Sequence, residues 1–190
     1  MQKTQFNSYR PKAVFLDRDG VINSLVKRED GRLTSPWNVK EFNILPDVQN
    51  SLIKFRQQGF MSFIVTNQPG VEDGEMTKKQ LDDITLHMRE KLCFVDINAA
   101  TERNTIYYKP NNEMIESFIQ QYGIKRDKSF LIGDRWKDIV PGKNSGLTTI
   151  LVGDAEYDPP EEYKHIQPDY RVENIWHAYC LIMEIDNGRA

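Results

Sequence analysis

The sequence predicts an α/β fold: a doubly wound parallel sheet with helices on both faces and minimal or no cap domain. Three observations predict it. Short strand-forming runs at residues 13–17, 61–66, 129–132 and 147–152 stop abruptly at polar or glycine-containing turns. Runs that are apolar almost throughout, rather than alternating, mark strands buried on both faces, as in parallel sheets. Segments with apolar residues at helical spacing separate them, and such alternation implies right-handed βαβ units. The chain has 190 residues, enough for one well-buried domain spanning residues 1–190.

Each element follows in order. Residues 1–11 read as a loose leader. Strand one, residues 13–17, runs into Asp17-Arg18-Asp19-Gly20, where Gly20 lets the chain turn sharply. Residues 24–45 form a polar connection too long for a simple connector, and a functional loop on the substrate side is expected there. Pro46 opens a helix at Asp47, with Val48, Leu52, Ile53 and Phe55 at helical spacing and Gly59 as a left-handed cap. After the second strand, Asn67-Gln68-Pro69-Gly70 breaks the chain, and Thr77 caps an amphipathic helix reaching about Leu92. The third strand has two candidates, residues 95–97 and 105–108. Lys109-Pro110 follows, then a helix capped by Asn111 or Asn112 and stopped by Gly123. The fourth strand ends at Gly133-Asp134, and a helix over residues 138–145 stops at Gly146. After the fifth strand, a short extended segment at 170–172 and a helix capped by Asn174 close the chain.

Composition narrows the function classes. Hydrophobic residues make up 39% and charged residues 28%, the balance of a soluble globular chain. A net charge of -3 gives no electrostatic footprint for nucleic acid or an anionic membrane. No apolar stretch approaches a membrane span, and Met1 to Arg10 has no apolar signal core, so a cytoplasmic protein is expected. The two cysteines, Cys93 and Cys180, are far apart, which argues against a disulfide framework or a cysteine zinc site. A monomer is expected, with neither nucleic acid nor membrane as partner.

The strand ends carry the chemistry. The first supplies Asp17 and Asp19, the second Thr66 and Asn67, and the fourth Asp134 with Asp138 one helical turn later. Lys109 belongs to the end of the third. In an open parallel sheet these ends converge where ligands bind. Singly, each has an ordinary structural reading: a strand terminus, a surface lysine, an Asp-Gly turn, a solvated helix acid. Together they equip a site for a phosphate beside a divalent cation, most naturally Mg2+.

The run Phe15-Leu16-Asp17-Arg18-Asp19-Gly20-Val21-Ile22-Asn23 resembles the first motif of the haloacid dehalogenase (HAD) superfamily of phosphohydrolases. Ile64 through Gly70 resembles the second, Lys109-Pro110 the third, and Ile132-Gly133-Asp134-Arg135-Trp136-Lys137-Asp138-Ile139 the fourth. The wording is similar to the branch of heptose 1,7-bisphosphate and histidinol-phosphate phosphatases. The resemblance implies a Rossmann-like, HAD-type fold and a phosphoric monoester hydrolase. By it, Asp17 is the nucleophile and Asp19 the general acid and base. One Mg2+ is held by Asp17, the Asp19 backbone carbonyl and Asp134, with Asp138 orienting that shell or Lys109. Thr66, Asn67, Lys109 and Arg18 are expected to hold phosphate. Trp37, in the loop over the site, is a candidate substrate contact or a loop anchor.

Two departures stand out. The stretch from Asn98 to Tyr108 has no Cys or His, whereas the branch usually carries zinc ligands there, so no zinc is expected. Tyr108 stands where that branch has an Arg before the lysine, which leaves Arg18, Arg103 or Arg135 to make that contact. The implied substrate is a small phosphorylated sugar, D-glycero-D-manno-heptose 1,7-bisphosphate first. Histidinol phosphate, nucleic-acid 3'-phosphate ends and a non-enzymatic phosphosugar-binding role are the alternatives.

Overall fold

The computed structural model describes residues 10–154 and 157–188, so most of the leader expected at 1–11 lies outside the described residues. Six parallel strands form one sheet: β1 (Lys12–Leu16), β4 (Phe60–Asn67), β5 (Asp96–Ala100), β6 (Phe130–Gly133), β7 (Thr148–Val152) and β8 (Tyr170–Val172). A small antiparallel hairpin, β2 (Val26–Lys27) and β3 (Leu33–Thr34), lies between β1 and the first helix. Among the described residues five α-helices complete the fold: α1 (Val48–Gln57), α2 (Lys78–Lys91), α3 (Glu113–Tyr122), α4 (Trp136–Asn144) and α5 (Ile175–Asp186).

The strand order β5-β4-β1-β6-β7-β8 shows the double winding. From β1 the chain builds outward through β4 and β5, then returns to the other side of β1 for β6, β7 and β8. The reversal falls between β1 and β6, where the carboxyl ends of an open sheet leave a crevice. Successive β1 side chains face opposite ways. Val14 and Leu16 pack with Leu52, Phe55, Ile84, Met88 and Ile182, from α1, α2 and α5. Ala13 and Phe15 pack with Met114, Phe118 and Ile139, from α3 and α4. Both faces are covered, which is why the strand reads as a continuous apolar run.

Two of the expected side-chain caps form, whereas Asn112 takes the cap position of α3 without a cap hydrogen bond. Thr77 and Gln80 make a reciprocal capping box at the start of α2. Asn174 Oδ1 accepts from the Trp176 and His177 amides to open α5. Gly59 and Gly123 end their helices with φ of 80° and 66°. Three expectations are corrected. Of the two candidates for the third strand, only residues around 96–100 form one, while 105–108 lie in turns because no strand runs beside them. The helix expected from residue 138 begins earlier, at Trp136, which places Asp138 in its first turn. Residues 24–45 are not a bare loop: they hold the β2–β3 hairpin and a 3-10 turn at Val39–Glu41. No helix among the described residues is long and apolar enough to cross a membrane.

Candidate active site

The site sits at the carboxyl ends of β1, β4 and β6. Asp17 follows directly on β1, and its amide donates to Ile132 O of β6 at 3.0 Å, which ties the two strands at the crevice. Lys109 reaches the same point from the loop after β5. Its backbone is gripped by the Asn67 side chain, which donates to Lys109 O at 3.0 Å and accepts from Lys109 N at 2.9 Å. The Lys109 ammonium then donates to Asp17 Oδ1 at 2.7 Å, to Asp138 Oδ1 at 2.6 Å and to Val65 O at 2.9 Å. An ammonium has three N–H groups, so all three are occupied. Lys109 therefore fixes the Asp17 and Asp138 carboxylates and has no N–H left over.

Asp138 has both oxygens occupied, one by Lys109 and one by the Arg135 amide at 3.1 Å, which caps α4. Asp134 differs: its Oδ1 is buried with no hydrogen-bond partner. An orphaned buried carboxylate oxygen is costly unless a cation meets it. Burial pushes the Asp134 carboxyl up to about 7, and the Asp138 charge adds to the shift while Arg135 opposes it. Burial likewise raises Asp17 to about 8, against the pull of the Lys109 ammonium and with the Asp138 and Asp134 charges adding to it. The Lys109 ammonium is held above its ordinary range by Asp138 and Asp17, despite burial. One ligand atom each from Asp17, Asp134 and Asp138 lies within 4.8 Å of the others.

These residues fit a hard divalent cation. The donors are carboxylate oxygens, one of them orphaned, and two of the acids are under-neutralised without a metal. Asp17 and Asp134 have free coordination capacity. Asp138 is occupied by Lys109 and a backbone amide and is suited to orient them. Gly20, at φ 91°, makes room: a Cβ there would run into the Asp134 carboxylate.

Asp19 is held differently. Its Oδ1 accepts from Arg18 Nη2 at 3.0 Å and Asn23 Nδ2 at 2.9 Å, and its Oδ2 from Gln68 Nε2 at 2.6 Å. Arg18 Nη2 also donates to Gln68 Oε1 at 2.7 Å, and Gln68 Nε2 to Thr66 Oγ1 at 2.9 Å. This corrects the expectation for Arg18, which is fully buried. Its guanidinium is turned inward onto Asp19 and Gln68, so it supports the acid and does not line the pocket. Thr66 is also buried, with its hydroxyl behind Gln68, and it does not line the pocket either. Asn67 does, alongside Asp17, Asp19 and Lys109.

The pocket they floor is open and about 420 Å³ in volume. The hairpin supplies one wall, including Arg32, Leu33 and Thr34, and Tyr108, Arg135 and Lys137 supply another. Trp37 lines neither; the Arg28 guanidinium lies 3.3 Å from its ring centre, so it anchors the base of the hairpin. Of the three arginines set against the Tyr108 departure, only Arg135 lines the pocket. Arg103 is turned to Glu72 and Asp73. Sequence reasoning missed Gln68, Asn23, Lys137 and the hairpin. The Asp30-Gly31 pair between strand-forming residues was a readable hairpin signal.

Comparison with known proteins agrees with this fold. Residues 106–178 match the family model described as HAD-hydrolase-like. A D-glycero-D-manno-heptose-1,7-bisphosphate 7-phosphatase of Chlorobaculum tepidum is 29% identical over 88% of this chain and 92% of its own length. A D-glycero-alpha-D-manno-heptose-1,7-bisphosphate 7-phosphatase of Photorhabdus laumondii is 31% identical over 72% of this chain and 79% of its own. Among solved structures, a D,D-heptose 1,7-bisphosphate phosphatase of B. bronchiseptica complexed with magnesium and phosphate superposes with a TM-score of 0.77. It covers 92% of this chain and 99% of that one at 17% identity, and so speaks for the fold.

Proposed function

This chain belongs to the HAD-like hydrolase family, among its phosphatases, and on that premise we propose a Mg2+-dependent phosphomonoesterase whose substrate is D-glycero-D-manno-heptose 1,7-bisphosphate. The observation that carries the reading is the Asp17–Lys109–Asp138 chain beside the orphaned oxygen of Asp134. The substrate follows from the names of the relatives.

Asp17 attacks phosphorus in line, forms an aspartyl-phosphate and expels the sugar alkoxide, so one hard displacement becomes two easier ones. Lys109 fixes the Asp17 carboxylate and offsets part of its charge, which lets it approach a phosphate dianion. Asn67 sets the Lys109 backbone for that task. Asp19 leaves the Arg18–Asn23–Gln68 clamp to protonate the departing oxygen. It then takes a proton from the water that attacks the aspartyl-phosphate, releasing inorganic phosphate and restoring Asp17. Asp17, Asp134 and the Asp19 carbonyl would hold Mg2+, which would supply charge neutralisation at the phosphoryl group.

The test is phosphate release from both anomers of the heptose bisphosphate, histidinol phosphate and a 3'-phosphorylated oligonucleotide, with and without Mg2+. The heptose bisphosphate should show the highest kcat/KM, only with Mg2+, and Asp17→Asn should be inert. A preference for histidinol phosphate or the oligonucleotide would move the substrate. No turnover of any of them by the wild type would end the enzymatic reading.

A further inference from the structure

Gln68 follows directly on β4 and is fully buried. Its backbone amide donates to Ala100 O at 2.7 Å, which pins it to the end of β5. Its carboxamide meets three side chains. Oε1 accepts from Arg18 Nη2 at 2.7 Å, while Nε2 donates to Asp19 Oδ2 at 2.6 Å and to Thr66 Oγ1 at 2.9 Å. An amide nitrogen carries two hydrogens, so both are spent. The hand of this amide is not free. Arg18 has donors only, so the oxygen must face it and the nitrogen must face Asp19.

Arg18 competes for the same acid. Its Nε and Nη2 reach Asp19 Oδ1 at 3.2 and 3.0 Å, and Nη2 reaches Oδ2 at 3.2 Å. Its Nη1 is buried with no partner among the described residues. Gln68 stands between the two: it occupies Arg18 Nη2 and offers Asp19 Oδ2 the shorter bond. Without Gln68, Arg18 is free to close a bidentate pair on Asp19, the strongest form of this contact. The Asp19 side chain is only 12% exposed at the pocket floor, so a small retreat onto Arg18 removes it from the leaving group.

We infer that Gln68 is a positioning residue for Asp19: it keeps the carboxyl at the pocket floor and stops Arg18 from withdrawing it. The inference rests on the phosphomonoesterase reading and names what Gln68 controls there. As the Asp17 oxygen bonds to phosphorus, the bond from phosphorus to the leaving oxygen breaks. A sugar alkoxide needs the Asp19 proton at that moment. A nitrophenolate departs as a stable anion without it. Gln68 therefore governs how well the chain expels poor leaving groups.

The test compares kcat/KM, with Mg2+, for the heptose 1,7-bisphosphate and for 4-nitrophenyl phosphate. This ratio covers only the steps through loss of the leaving group, so it isolates the acid role of Asp19. Gln68→Met removes the whole amide, whereas Gln68→Glu keeps an acceptor for Arg18 and removes the donor to Asp19. Each should lose about 10–100-fold on the heptose ester and less than about threefold on the nitrophenyl ester. Either variant suffices if the other does not fold. Asp19→Asn should show the same selectivity, with a larger loss. Equal losses on both esters, or no loss on either, overturn the positioning role. A wild type inert toward both esters, or an unselective Asp19→Asn, would instead sink the enzymatic reading and its acid.

Discussion

Replacing Lys109 with methionine keeps an unbranched apolar stem of similar reach to Cε and removes the ammonium, which makes it the sharpest perturbation of the site. Lys109 is 3% exposed and donates to Asp17, Asp138 and Val65 O, so its loss strands two buried carboxylates at once. Removing one partner of a buried ion pair costs about 3–5 kcal/mol. For a chain of this size each kcal/mol lowers Tm by about 2–4 °C, which gives a drop of roughly 6–20 °C. The loss must depend on pH. The Lys109 ammonium, raised above its ordinary 10.5, stays charged throughout the working range. Asp17 is the group that changes, since its folded-state value of about 8 lies above the ordinary 3.8. Below pH 8 the folded protein holds the Asp17 proton, so less negative charge is left unpaired by the substitution. Lys109→Met should therefore cost most near pH 9 and least near pH 5, and Asp138→Asn in the same chain should recover part of it. Denaturant unfolding at the two pH values reads this directly. A loss below about 1 kcal/mol at pH 9, or an equal loss at both, would refute the argument that Lys109 balances these carboxylates.

Further outcomes follow from the same geometry. With Asp17 near 8 and Asp134 near 7, the metal-free folded state binds more protons than the unfolded chain above about pH 4. Its stability should fall on the order of 1 kcal/mol per pH unit per excess proton as pH rises to 8, and Mg2+ should flatten the curve; calorimetric scans with EDTA or Mg2+ test this. Gln68→Ala removes a donor to Asp19 and a partner of Arg18, so kcat should fall about 10–100-fold with a displaced pH profile, while Mg2+ affinity stays near wild type. Gly20→Ala sets a side chain at φ 91° against Asp134, and should lose about 2 kcal/mol of stability together with Mg2+ affinity, read by titration calorimetry.

The interior strands and their acids were legible in the sequence because burial on both faces writes itself as an apolar run, and a carboxylate at the end of such a run has few purposes. Asp17, Asp19, Asp134 and Asp138 could be placed at one edge of the sheet on that ground alone. β5 was ambiguous because it is an edge strand, bonded only to β4, and Asp-Ile-Asn-Ala-Ala has neither a full apolar run nor clean alternation. Arg18 misled, and Trp37 stayed open between substrate contact and loop anchor, for a related reason. A charged residue beside an acid and an aromatic in a loop both suggest ligand contact, but sequence does not say which way a side chain turns. Only packing showed that Arg18 turns inward to brace Asp19 and that Arg28 covers Trp37. Sequence by itself determined the sheet and which acids end its strands, since both are local consequences of burial and chain order. The tertiary structure alone decided the division of labour among the cations. That Lys109 is saturated by two carboxylates and a backbone carbonyl, while Arg18 is turned away from the pocket, depends on residues brought together from distant parts of the chain.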